Sequence, residues 1–141
     1  MGWKSSSHAV YDCKYHMVWC PKRRKSLGDV EIREWIAETI RAIGEEFEFD
    51  IEELAVGDNH VHLFIGFPPR YSISRVVGII KSISASRTFG RFPWLRKKYW
   101  SGELWEDGYG VRTVGDKVTQ EIVKRYIRRH DEEATNQPRL F

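Results

Sequence analysis

Two histidines flank a valine in the run Gly57-Asp58-Asn59-His60-Val61-His62-Leu63-Phe64-Ile65-Gly66-Phe67. The residues after Asn59 are rich in β-branched and aromatic types, which predicts a strand. Side chains alternate faces along a strand, so His60 and His62 project together while Val61 turns away. Two imidazoles about 7 Å apart along one strand can converge on a single cation. The apolar neighbours predict an inner strand, where imidazoles need partners because unpaired buried polar groups are costly. The competing reading is two unrelated polar residues on a solvated face.

A second pair lies near the C-terminus. Residues 118–130 read as a helix, on which Tyr126 and His130 are four apart and share one face. Arg125, Arg128 and Arg129 surround them. Tyr126 could instead pack as core beside Ile122 and Val123. Taken together, the two pairs outline one chemistry. A metal at His60 and His62 could polarise a phosphate as a Lewis acid. A tyrosine hydroxyl could attack the phosphorus and conserve the bond energy in a phosphotyrosine. Arginines would offset the phosphate charge. The chain has no Gly-x-x-x-x-Gly-Lys loop, so no nucleotide cofactor is expected.

These residues need a scaffold. Residues 8–20 alternate as a strand that ends at Pro21, followed by the basic loop Lys22-Arg23-Arg24-Lys25. Asp29 can cap a helix whose apolar residues Ile32, Trp35, Ile36, Thr39, Ile40, Ile43 and Phe47 recur at helical spacing. Phe49–Val56 reads as a strand, and Gly57-Asp58-Asn59 as the hairpin turn before the histidine strand. Ser72 can cap a second helix to about Phe89, with Ile73, Val76, Val77, Ile80 and Ile83 as its stripe and Arg75 and Lys81 on its other faces. Short strands are expected near Leu104–Trp105 and Tyr109–Val114, joined by an Asp107-Gly108 turn. Asp116 can cap the tyrosine helix, about 116–132, and 133–141 reads as a loose tail. The order strand–helix–strand–strand–helix–strand predicts a ferredoxin-like (RRM-like) α+β fold. That is an antiparallel sheet with two helices on one face, plus an added C-terminal helix. Its 141 residues suit one domain.

Composition narrows the partners. Net charge is +3, but residues 29–58 carry −9 and residues 70–130 carry +9. A basic half beside an acidic segment points to a polyanion on one side of the molecule. Aromatics interleave with Lys and Arg over 92–115, a mixture that suits single-stranded nucleic acid, although the Trp residues could be core. Cys13 and Cys20, placed on one strand, face opposite sides and cannot bridge each other; no Cys-x-x-Cys zinc pair exists. No apolar run reaches the roughly 18 residues of a membrane span. Residues 1–7 lack the apolar segment of a signal peptide, so a cytoplasmic protein without membrane contact is expected.

The chain resembles the single-tyrosine transposases of the His-hydrophobic-His (HUH) endonuclease superfamily, small enzymes of insertion sequences that move as single-stranded DNA. The resemblance runs nearly end to end. It covers Tyr15-His16-Met17-Val18-Trp19-Cys20-Pro21-Lys22-Arg23-Arg24, Asp58-Asn59-His60-Val61-His62-Leu63 and Phe67-Pro68-Pro69-Arg70-Tyr71-Ser72-Ile73-Ser74. It continues with Lys81-Ser82, Leu104-Trp105, Gly108-Tyr109-Gly110-Val111-Arg112-Thr113-Val114-Gly115 and Tyr126. The resemblance implies a homodimer in which Tyr126 of one subunit completes a site with His60 and His62 of the other. It implies recognition of single-stranded DNA hairpins at the element ends. It also implies cleavage with Mg²⁺ or Mn²⁺ to a 5′-phosphotyrosine and a free 3′-OH, then rejoining. Members commonly carry Gln four residues after the tyrosine as a third metal ligand; this chain has His130 there. Three imidazoles would favour Mn²⁺ or a later transition metal over Mg²⁺. DNA contacts are expected from Lys22, Arg23, Arg24, Arg75, Lys81 and Arg125.

Two other readings remain open: a non-catalytic nucleic-acid-binding module on the same sheet, and a metal-dependent nuclease that uses water. Ligand histidines must be neutral, so ordinary values predict that activity falls below about pH 6–7.

Overall fold

The structure, a computed structural model, describes residues 3–5, 10–99 and 102–136. Of the strand expected over 8–20, residues 8 and 9 lie outside the described residues, and 10–20 do not form one strand. β1 (Lys4–Ser5) and β2 (Val10–Tyr11) make a separate two-stranded ribbon, and β3 (Lys14–Trp19) joins the main sheet. The break follows from the partner: β3 pairs with β5 only as far as Lys14↔Gly66, and Pro68-Pro69, just beyond, has no N–H to extend a ladder. Cys13 and Cys20 therefore flank β3 rather than sit on it, and both are free thiols.

α1 (Val30–Phe47) begins where the Asp29 carboxylate accepts from the Ile32 N–H at 3.2 Å, the cap its sequence predicts. It ends at Glu48, whose φ of 60° is left-handed. Gly44 lets the end of α1 lie against β4 (Asp50–Val56): a Cβ there would stand 2.6 Å from Ile51 Cδ1. β5 (Val61–Gly66) returns antiparallel. α2 (Ile73–Arg91) is capped by the Ser72 hydroxyl, which accepts from Arg75 N–H at 3.1 Å. The short α3 (Leu95–Lys98), β6 (Gly110–Thr113) and α4 (Lys117–Asn136) follow.

The sheet order is β4-β5-β3-β6, and every pairing is antiparallel. This is the split βαβ order expected for a ferredoxin-like fold. Alternation divides the sheet into two faces. Met17 and Trp19 of β3 and Val61, Leu63 and Ile65 of β5 pack with Ile32, Ile36, Ile40 and Ile43 of α1 and Val76, Val77 and Ile80 of α2. A bulge between Ile51 and Glu53 resets the parity of β4, so Leu54 and Val56 reach that core while Ala55 faces away. On the opposite face, Ala55, Phe64, Val114 and Ile127 form a second, smaller cluster beneath α4.

Two expectations in the aromatic stretch need correction. Leu104–Trp105 is no strand; Trp105 makes a single bridge to Pro21 and is buried, its indole N–H donating to Ser84 Oγ at 2.9 Å. Asp107-Gly108 therefore does not close a hairpin, because this segment spends its hydrogen bonds on Cys20, Lys22 and Lys81. Phe92, Tyr99 and Trp105 are core, which leaves Trp94 and Tyr109 as the exposed aromatics of the described part of 92–115. The helix α4 also runs past 132 to Asn136; residues 137–141 of the expected tail lie outside the described residues. Among the described residues no helix is long and apolar enough to cross a membrane.

Candidate functional site

The turn before β5 is fixed from both sides. Gly57 N–H donates to the His60 carbonyl at 2.8 Å, Leu27 N–H to the Asp58 carbonyl at 2.8 Å, and Ser26 Oγ to the Asp58 carboxylate at 2.5 Å. His60 sits at the end of this turn and His62 one step inside β5, with Val61 fully buried in the main core. The two rings lie on one face, their centroids 6.3 Å apart, as the alternation predicts.

β3 adds a third imidazole to this face. Val18 pairs with His62 and His16 with Phe64, so His16 is diagonal to His62 across the ladder. The His16 and His62 rings are 5.5 Å apart, with His16 Nε2 and His62 Nδ1 at 3.3 Å. On the other side of β3, His16 pairs with Arg112 of β6, which brings a guanidinium to the same edge of the site.

α4 brings the remaining groups. The Asp116 carboxylate accepts from Thr119 N–H at 2.9 Å and starts the helix. Gln120 and Ile127 are buried against the sheet, and Val123 is half-buried between them. Lys124 pairs with Glu52, which also holds the buried Lys14, and Arg128 pairs with Glu53. These contacts set the rotation of α4. Tyr126 then lies over the histidines, its ring 5.7 Å from His62, 6.3 Å from His16 and 4.5 Å from His130. The His130 ring stacks on His62 at 4.9 Å. Tyr126 is 49% exposed and so is not a core residue. It meets the histidines of its own chain, whereas the resemblance implies the partner's.

Charge at the site is carried by arginines. Burial pushes His62 down to about 4, with His130, His16 and His60 adding to the effect. Burial, then Arg24 and His130, lowers His60; burial, then Arg112 and His130, lowers His16. These three imidazoles are neutral at pH 7. The donor chemistry fits a cation: the Asn59 side-chain oxygen pairs with His60 Nδ1 at 2.7 Å and His16 occupies His62 Nδ1, so each histidine keeps Nε2 for another partner. Among the described residues, no group of three His, Cys, Asp or Glu is already arranged to hold a metal.

The six basic candidates divide. Arg23, Arg24, Arg75 and Arg125 are exposed. Arg23 and Arg24 are both left-handed, at φ 57° and 54°, a costly backbone for consecutive non-glycine residues that folds the basic loop back toward His60. Lys22 instead bonds Glu103 at 2.9 Å, and Lys81 donates to the Glu106 and Gly108 carbonyls at 2.6 and 2.9 Å. Both clamp the segment that leads into β6. His16, Asn59 and Arg112 are members of the site that the sequence did not single out. The pairing register, which brings β3 beside β5 and β6, reveals His16 and Arg112, whereas Asn59 enters through its side-chain contact with the adjacent His60.

A ferredoxin-like sheet whose His-Val-His strand lies under a tyrosine-bearing helix matches the layout of a small DNA transposase. The family model described as "Transposase IS200 like" matches residues 9–130, and the chain belongs to that family. It is 32% identical over 124 residues to the ISDra2 transposase TnpA of Deinococcus radiodurans, covering 88% of this chain and 89% of that one. It is 32% identical over 130 residues to the transposase for insertion sequence element IS200 of Salmonella typhimurium, covering 92% and 84%. A crystal structure described as a transposase from Deinococcus radiodurans R1 superposes with a TM-score of 0.72 at 31% identity, covering 90% of this chain and 97% of that one. A REP-associated tyrosine transposase bound to a REP hairpin shares the fold, with a TM-score of 0.61 at 12% identity, covering 88% and 69%. This chain is a DNA-binding, DNA-cleaving transposase.

Proposed function

We propose that this transposase cleaves and rejoins single-stranded DNA at insertion-sequence ends with Tyr126 as nucleophile. The observation that carries the reading is the convergence of Tyr126 and His130 on His62 and His16 over one sheet face. The Tyr126 hydroxyl gives up its proton as its oxygen bonds to phosphorus, and the P–O3′ bond breaks. The 3′-oxygen takes up a proton, leaving a 5′-phosphotyrosine and a free 3′-OH. A second 3′-OH reverses the step and releases Tyr126, so no nucleotide cofactor is consumed. A divalent cation, Mn²⁺ or Mg²⁺, would supply Lewis-acid polarisation of the phosphate. His60 and His62 would hold it through Nε2, and His130, docked with α4, would be the third donor. Arg24, Arg112 and Arg125 offset the phosphate charge. Hairpin recognition falls to the exposed Arg23, Arg75, Trp94 and Tyr109.

The homodimer belongs to the same proposal. β6 is an edge strand exposed at all four positions, and Val118 and Ile122 of α4 are 71% and 56% exposed. An open sheet edge and exposed apolar residues on α4 each favour pairing with a second copy.

The test is an adduct assay. The protein is mixed with Mn²⁺ or Mg²⁺ and labelled single-stranded oligonucleotides from the DNA flanking its own gene. A covalent protein–DNA band on a denaturing gel, absent from Tyr126→Phe, is the expected result. Cleaved DNA without an adduct, unchanged in the variant, would establish water as nucleophile. Retarded but uncut DNA would leave a binding module.

A further inference from the structure

The geometry points to His16 as the positioning residue that sets the tautomer of His62: its Nε2 accepts the proton of His62 Nδ1 and leaves the lone pair on His62 Nε2. The inference rests on reading His62 as a metal ligand. His62 Nδ1 faces His16 Nε2 at 3.3 Å, so Nδ1 is occupied whichever ring donates. Nε2 is then the nitrogen His62 can offer a cation, and it can do so only while the proton sits on Nδ1. His60 is arranged in the same way. A side-chain carbonyl only accepts, so Asn59 Oδ1 at 2.7 Å fixes the proton on His60 Nδ1 and bares its Nε2. Two different partners thus present the same nitrogen from both histidines.

His16 is suited to the task by its position. It is 8% exposed and sits on a strand paired on both sides, opposite Phe64 of β5 and Arg112 of β6. Its backbone cannot shift without breaking two ladders, and its ring lies against both His62, at 5.5 Å, and Tyr126, at 6.3 Å. A histidine needed only for packing would not have to place a nitrogen against His62 Nδ1.

The experiment reads ring nitrogens by long-range ¹⁵N–¹H NMR in the metal-free protein at neutral pH, and Mn²⁺ affinity by calorimetry. In the unmodified chain His62 should be the Nδ1–H form. His16→Gln, whose Oε1 can accept near the same point, should keep that form. His16→Leu should release His62 to the Nε2–H form and weaken Mn²⁺ binding about 10- to 100-fold. Should the leucine variant not fold, His16→Asn, whose oxygen falls short of His62, takes its place. An Nε2–H His62 in the unmodified chain, or a tautomer and affinity untouched by His16→Leu or His16→Asn, would overturn the inference. If the unmodified chain binds no Mn²⁺ yet His16→Leu changes the tautomer, the metal reading fails while the role of His16 stands.

Discussion

His62 is where burial and the proposed function meet. Its unfolded value is near 6.5 and its folded value about 4, so between those pH values the unfolded chain holds more protons than the fold. The stability it contributes is intact above about pH 6.5 and is lost as pH falls through about 4. The full shift amounts to about 3 kcal/mol, reduced by the solvent that reaches the ring. Urea titrations should show the drop, and His62→Gln should flatten it. The same depression moves the activity profile. Ordinary histidine values predict loss of metal-dependent cleavage near pH 6–7, but a buried, neutral His62 loses fewer ligand sites to protons in that range. Cleavage measured against pH should therefore fall off at a lower pH than ordinary histidine values give. At the neighbouring position, His60→Ala should abolish metal-dependent cleavage and leave hairpin binding, read by native gel retardation, within a few-fold. Lost binding in a folded variant would move His60 to DNA recognition.

At the scale of elements, the seating of α4 decides whether the tyrosine is in place. Its ion pairs are unequal. Lys14 is 4% exposed between Asp50 at 2.9 Å and Glu52 at 2.7 Å, and Glu52 passes the network to Lys124. Removing one partner of a buried pair strands the others, so Lys14→Met should cost about 3 kcal/mol or more in urea unfolding. Arg128 is 53% exposed, and Arg128→Ala should cost under about 1 kcal/mol. Equal losses would mean that the buried network does not anchor the helix. The elements themselves were legible wherever periodicity and a cap coincided: Asp29, Ser72 and Asp116 each accept the expected N–H. The stretch 92–109 was not. Its described aromatics split between core and surface through contacts with Pro21, Lys22 and Ser84, which lie far away in sequence. For the same reason His60, His62, Tyr126 and His130 could be picked out by spacing, whereas His16 and Arg112 could not. Their membership depends on which strands are neighbours.

For the whole molecule, the proposed homodimer makes a testable statement about which subunit each tyrosine serves. The resemblance implies a dimer with shared sites, yet within one chain Tyr126 already lies 5.7 Å from its own His62. Both arrangements use the same contacts, because an α4 from either subunit would present Tyr126, His130, Lys124 and Arg128 to the same sheet face. Complementation separates them. On the proposed mechanism Tyr126→Phe would lack the nucleophile and His60→Ala a ligand, so each variant on its own should be inactive. Mixed dimers formed by co-expression with different tags hold one intact tyrosine and one intact histidine pair, on different subunits. If sites are shared, the mixed dimer should regain adduct formation at about half the rate of the unmodified dimer, since one of two sites is whole. If each helix serves its own sheet throughout, the mixed dimer should stay inactive. Tyr126 is half exposed, so its replacement by Phe removes little packing, and a silent mixed dimer would report on site composition rather than on folding. The tyrosine-to-DNA bond adds a second reading. Mass spectrometry of the adduct identifies the subunit that attacked, and with shared sites it must be the one that carries His60→Ala.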